Sequence, residues 1–146
     1  MMKILLLLLT LLPIASSFPY GTQSIRVTGR LLCRGKPAPF VEMSLVNSRG
    51  AGENNEDLAN GVFTDPDGYF EMAGSMHQFY LIPAQIFMWH ECFYDIGIHH
   101  GNCKSLKKVD VPEEFVVEGS LPRVTWNAGE IHLEHSVLKE NLEKCK

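Results

Sequence analysis

Three observations predict an all-β fold, built as two packed antiparallel-rich sheets. Residues 25–33 alternate, with Ile25, Val27, Gly29, Leu31 and Cys33 on one face and Arg26, Thr28 and Arg30 on the other. That period of two is the signature of a half-buried strand. Second, Asp65-Pro66-Asp67-Gly68 stands between the apolar pairs Val62-Phe63 and Tyr69-Phe70. Proline presets φ, aspartate tolerates the third position and glycine accepts the left-handed conformation, so this is a tight turn with a bulge. Third, turn residues recur between short apolar runs, and helical periodicity is scarce.

Seven strands follow in order, at about 25–33, 41–46, 58–64, 69–73, 84–92, 104–111 and 124–133. The first ends at Arg34-Gly35-Lys36-Pro37-Ala38-Pro39, a turn whose prolines cannot donate to a ladder. In the second, Val41, Met43 and Leu45 face in, while Glu42 and Ser44 face out. Residues 47–57 hold two glycines and three asparagines and read as a loop. Pairing Asp65 with Tyr69 fixes the register of the third and fourth strands as a hairpin. Val62, Thr64, Phe70 and Met72 then share the core face, and Phe63, Asp65, Tyr69 and Glu71 the other. Residues 75–78 connect to the next apolar run, which Pro83 interrupts. AQIFMWHEC (84–92) is apolar on both faces, as a covered central strand should be. In the sixth strand Val109 and Val111 point inward. Pro112-Glu113-Glu114-Phe115 starts a helix of at most about two turns, because Gly119 and Pro122 follow closely. The last strand breaks at Gly129, and the tail sets Val137, Leu138, Asn141 and Leu142 at helical spacing.

Met1-Met2-Lys3, the apolar run Ile4–Leu12 and the small residues before Phe18 form the tripartite pattern of a secretory signal peptide over 1–17. The run is well short of the ~20 residues a spanning helix needs. The mature domain is then 18–146, with twelve basic against seventeen acidic side chains, a formal charge of −5. No basic stripe exists to neutralise phosphates, which argues against a nucleic-acid partner. Four cysteines, Cys33, Cys92, Cys103 and Cys145, lie in the exported part. An even number in a secreted chain reads as two disulfides with three connectivities open, and the spacing does not suit a zinc ribbon.

The chemistry of catalysis finds no foothold. Among His90, His99, His100, His132 and His135, no two are fixed with a carboxylate on a single element, so no metal site is expected. Reading Asp65 as the first position of a calcium loop puts Met76 where a bidentate Glu is required. There is no Gly-x-Ser-x-Gly elbow and no phosphate-binding glycine loop, so neither enzyme activity nor a cofactor is expected. Six aromatics, Phe79, Tyr80, Phe87, Trp89, Phe93 and Tyr94, crowd the fifth strand and its flanks. About half should be core by alternation, which leaves Phe93 and Tyr94 as a contact patch.

Several segments together resemble the nematode transthyretin-like family of small secreted proteins: VTGRLLCRGKPAPFVEMSLV (27–46), GVFTDPDGYFEMAGS (61–75), IFMWHEC (86–92), CKSLKKVDVPEEFV (103–116) and IHLE (131–134). The resemblance spans nearly all of the mature chain. It implies a seven-stranded prealbumin-like sandwich with one short helix between the last two strands, extracellular export and, for most members, no established activity. Gly35, Pro37, Asp67 and Gly68 also echo the wider transthyretin pattern. The hydrolase of that superfamily ends in Tyr-Arg-Gly-Ser, whereas this chain ends EHSVLKENLEKCK. In the prealbumin arrangement the first and last strands lie side by side and parallel, which implies a Cys33–Cys145 bridge. The short connection between adjacent strands then brings Cys92 to Cys103. The expected role is a non-enzymatic module that binds an extracellular protein or a lipid-bearing surface; the alternative is a carrier of a small apolar ligand.

Overall fold

The computed structural model describes residues 21–49, 56–92, 104–134 and 142–144. Among the described residues, ten strands form two sheets. Strand β1 (Gly21–Cys33) is the axis of the first. It pairs antiparallel with β5 (Tyr69–Gln78) on one side and parallel with β9 (Trp126–His132) on the other. The two-residue strands β2 (Lys36–Pro37) and β8 (Val117–Glu118) extend this sheet at the ends of β1. The second sheet runs in the order β10-β7-β6-β3-β4, where β3 is Glu42–Asn47, β4 Glu56–Phe63, β6 Ala84–His90, β7 Lys104–Asp110 and β10 Leu142–Lys144. The expected helix is a single 3-10 turn, Glu113–Phe115.

The alternation in β1 does what its pattern requires. Ile25, Val27 and Leu31 are buried against Met43, Leu45, Ile86 and Met88 of the facing sheet, and Phe70, Met72 and Ile131 complete the layer. β3 is buried on both faces, because Ser44 and Val46 are covered as well as Met43 and Leu45. Its cross-strand neighbours explain part of this. Phe87 lies opposite Ser44, and its ring is edge-on to Trp89 and beneath the Lys108 ammonium. At the sheet's edge, the β3–β4 ladder shifts register twice, between Met43 and Leu45 and again between Leu45 and Val46. Gly61 takes a left-handed conformation within β4.

The turn at 65–68 forms as its residues dictate, but it does not begin a hairpin ladder. Asp65 N–H donates to the Tyr69 carbonyl and Gly68 N–H to that of Asp65, both at 2.9 Å. The Asp65 carboxylate also accepts the amides of Asp67 and Tyr69 at 2.9 Å. Beyond this knot β4 stays with β3 and β5 crosses to β1, so the turn passes the chain between sheets. Gly68 (φ 81°) docks on β1, its carbonyl accepting the Leu31 amide at 2.8 Å. A second crossing, residues 79–83, is held by the buried Gln23 side chain. Its amide donates to the Tyr80 carbonyl and its oxygen accepts from Ile82 N–H.

Four expectations need correction. β5 continues through residues 75–78, which pair with β1 rather than forming a connector. Leu142, assigned to a helical tail, opens a strand on β7. The third and fourth strands belong to different sheets. Cys33 is bonded to Cys92, with Cα atoms 5.8 Å apart, so neither Cys33–Cys145 nor Cys92–Cys103 is the pairing. The end of β1 and the chain just past β6 meet across the sandwich, and proximity between sheets leaves no local pattern in sequence. The parallel placement of the first and last long strands is as the resemblance implies.

Next to this disulfide, Glu134 clamps the β1–β2 turn. Arg34 (φ 51°) and Gly35 (φ 74°) are both left-handed, as a two-residue hairpin loop demands. The Glu134 carboxylate receives hydrogen bonds from its own backbone N–H and from those of Arg34 and Gly35, and His132 lies 3.9 Å away. Its own amide is the largest influence holding the carboxyl below the usual carboxylate range; partial desolvation opposes this, and Arg34, His132 and Gly35 add to it.

Two predictions follow from these contacts. A Cβ on Gly68 would stand 2.5 Å from the Leu31 carbonyl oxygen, whereas one on Gly35 meets nothing within 4 Å. Gly68→Ala should therefore cost about 1–3 kcal/mol more than Gly35→Ala in urea denaturation, read from the midpoint at constant slope. A depressed folded-state pKa contributes stability that is present above the ordinary carboxylate value, near 4.5, and is lost as the pH falls through the folded value. Glu134→Gln should accordingly be less stable than wild type at neutral pH, and the gap should close on acidification below that value.

Candidate functional site

Outward residues of β1, β5 and β9 enclose a groove of about 590 Å³. The register dictates its walls. Thr28 lies between Glu71 on β5 and Asn127 on β9, and Arg30 between Tyr69 and Glu130. The β1–β9 ladder is interrupted between Thr28 and Arg30, where Gly129 (φ 68°) takes a left-handed conformation and its amide is caught by the Asn127 side chain at 2.9 Å. Gly29 must lack a side chain: a Cβ there would come within 2.7 Å of the Phe70 ring and 3.1 Å of the Gly129 carbonyl oxygen. Backbone thus forms much of the floor, with ionisable groups standing around it.

Those groups are ordered by one another. Arg30 Nε donates to the Asp67 carbonyl at 2.9 Å, and its guanidinium stands 4.8 Å from the centre of the Tyr69 ring. Arg26 approaches Glu71 at 3.7 Å. The exposure of both partners in that pair makes it worth at most about 1 kcal/mol. An arginine stacked on an exposed tyrosine presents a planar donor fork and an aromatic face together, a combination suited to recognition.

Aromatic side chains gather at the same end of the sandwich. Tyr69 is 52% exposed and Phe63, at the other side of the Asp65–Gly68 turn, 56%. Phe40 is 68% exposed, and its amide is bonded to the Thr64 carbonyl beside them. Phe40 also has φ 56°, in a region that bulky residues rarely occupy. Thr64 helps impose that geometry. Its buried hydroxyl accepts the Val41 amide at 2.9 Å and donates to the Ala38 carbonyl at 2.7 Å, gripping the chain on both sides of Phe40. Backbone strain at an aromatic that gains little burial asks for an explanation other than folding.

The residues singled out from sequence fare differently. Phe93, Tyr94, Cys103, Cys145, His99, His100 and His135 lie outside the described residues. Of the remaining aromatics, Phe87 is buried, Trp89 and Tyr80 are half-buried and Phe79 is exposed at the opposite end of β5 from Tyr69. His90 is buried, and its Nδ1 accepts the Cys92 amide at 3.1 Å; His132 sits at the end of β9 beside Glu134. Among the described residues no three His, Cys, Asp or Glu side chains gather as metal ligands, and no helix is long and apolar enough to cross a membrane. Sequence reasoning placed Phe63, Tyr69 and Glu71 on an outward face, though not as a site. Phe40 escaped it entirely, because a positive φ at phenylalanine has no compositional signal.

Known proteins are similar to this sequence. The family described as "TTR-52: Transthyretin-like family" matches residues 28–112. Transthyretin-like protein 2 of Caenorhabditis elegans is 33% identical over 117 residues, 77% of this chain and 76% of that protein. Transthyretin-like protein 1 of the same nematode is 30% identical over 76% of this chain and 72% of its own, and Transthyretin-like protein 5 is 31% identical over 92% and 93%. The matched stretch runs from the middle of β1 to the residues just past β7, and so contains the bonded cysteines, the sheet-crossing turn and the exposed aromatics around it. With its two-sheet sandwich and parallel β1–β9 pair, the chain belongs to the transthyretin-like family.

Proposed function

We propose that this protein is a secreted, non-enzymatic binding module that engages an extracellular protein with the end of the sandwich carrying the Asp65–Gly68 turn. The strained, exposed Phe40 carries the reading. A phenylalanine in the left-handed region costs about 1–2 kcal/mol and recovers little of it by burial, so selection for stability alone favours Asn or Gly there. Phe63 and Tyr69 flank the same turn, and Arg30 stacks on Tyr69, which places the residue types that dominate binding energy side by side. The charged lining of the adjoining groove suits a polar peptide segment better than a small apolar ligand. Export agrees with the leader over residues 1–17 and with a disulfide, which persists in oxidising compartments.

Affinity capture from extracellular fluid, with the oxidised domain 18–146 as bait, tests this. Wild type should enrich a surface or soluble protein, and Phe63→Ala or Tyr69→Ala should weaken that capture about tenfold or more without changing the melting temperature. Phe40→Asn should weaken capture while raising stability by up to about 1 kcal/mol, because asparagine accepts the backbone that phenylalanine strains. Capture that survives all three substitutions moves the binding surface elsewhere. Binding to phospholipid vesicles without any enriched protein replaces the protein partner with a lipid surface.

A further inference from the structure

Asn60 and Gly61 form the only Asn-Gly pair in the sequence, and they stand at an irregular point on the rim of the second sheet. Leu45 pairs with Ala59 and Met43 with Val62, so Ser44 faces both residues at once across a bulge that breaks the regular ladder. Both are exposed. Gly61 is left-handed at φ 63°, and a Cβ built on it would meet nothing within 4 Å, so the space beside it is open. Among the described residues the Asn60 side chain has a single tie, its Nδ2 donating to Oδ2 of the exposed Asp57 at 3.1 Å. Two other asparagines are held differently. Asn47 is buried and donates to the Tyr80 hydroxyl, and the Asn127 side-chain oxygen accepts the Gly129 amide. Ser48 and Ala128 follow them, each with a Cβ that crowds the approach of its own amide nitrogen to the preceding side chain.

We propose that Asn60 is a site of spontaneous covalent modification, converting in the folded protein to aspartate and isoaspartate, and that the conversion loosens β4. An asparagine amide can be attacked by the main-chain nitrogen of the next residue, and glycine, lacking Cβ, hinders that approach least. The Gly61 nitrogen loses its proton as it bonds to Asn60 Cγ. The side-chain nitrogen takes up a proton and departs as ammonia, leaving a cyclic imide. Water then adds across one of the two imide C–N bonds. Opening at Cγ gives aspartate on an unchanged chain; opening at the main-chain carbonyl routes the chain through Cβ as isoaspartate. Neither path needs an oxidant or an enzyme. Either product replaces the amide that donates to Asp57 with a carboxylate, so a hydrogen bond gives way to repulsion. Asp57 pairs with Val46, and β4 is held in its sheet on one side alone, by β3, so the strain falls on a weakly held edge.

Peptide mapping tests the modification. The oxidised domain 18–146 is held at mildly alkaline pH in water enriched in heavy oxygen, either folded or in urea, and then cleaved after glutamate. Residues 57–71 form a fragment in which Asn60 is the single asparagine. That fragment should gain the mass of NH exchanged for heavy oxygen and separate into two products of equal mass. The rate in the folded domain should lie within about tenfold of that in urea, since little opening is required. A folded rate more than about a hundredfold slower shows that the fold protects Asn60, and overturns the proposal. Hydrogen exchange tests the effect on β4 separately, with Asn60→Asp installing one product from the start. The protected amides among residues 57–59 should exchange about tenfold or more faster than in wild type, while those of β1 and β5 keep their rates. Unchanged exchange at residues 57–59 removes the loosening of β4.

Discussion

The ladder between β1 and β5 carries the architecture. Ten consecutive pairs, from Gly21–Gln78 to Arg30–Tyr69, fix β5 against β1 without a register shift. Since side chains alternate along a strand, this one register decides that Val27 and Met72 meet in the core while Thr28 and Glu71 meet outside. β9 then joins the opposite edge of β1 in parallel, bringing Asn127 and Glu130 to the outer face. Slipping the β1–β5 ladder by one residue would expose Met72 and bury Glu71, so the core and the groove depend on the same alignment.

Two small polar devices hold that alignment to the other sheet. Gln23 uses both ends of its amide to fix the crossing from β5 to β6, and Thr64 uses both roles of its hydroxyl to fix the approach to β3. Each is buried and satisfied. Removing either side chain would leave amides or carbonyls without partners in an apolar setting, at a cost beyond the lost bond itself. At the far end of β1 the Cys33–Cys92 bond and the Glu134 clamp sit beside one another, and so the last residue of the IHLE segment acts on the first hairpin.

Sequence patterns were a good guide to what is periodic and a poor one to what is juxtaposed. The alternation of Ile25, Val27 and Leu31 and the chemistry of Asp65–Gly68 announced β1 and the turn correctly. They could not say that β4 and β5 part company after the turn, because a turn's own residues carry no information about which neighbour each strand adopts next. β2, β8 and β10 are two or three residues long and too short to show a period. The disulfide was misassigned for a related reason: adjacency along a sheet is partly readable, whereas contact between sheets depends on how both are stacked. Of the site, the outward set Phe63, Tyr69 and Glu71 was legible from the turn register, while the strain at Phe40 belongs to the fold alone.

The irregular β3–β4 ladder matters for more than the second sheet's own geometry. β4 lies at the rim of that sheet, where unsatisfied amides and carbonyls ordinarily invite another strand to add. Two displacements of register and a left-handed glycine within eight residues spoil the regular spacing such an addition requires. An incoming extended segment could match a few of its hydrogen bonds and would then fall out of step. The flaw in β4 thus works against polymerisation through that edge.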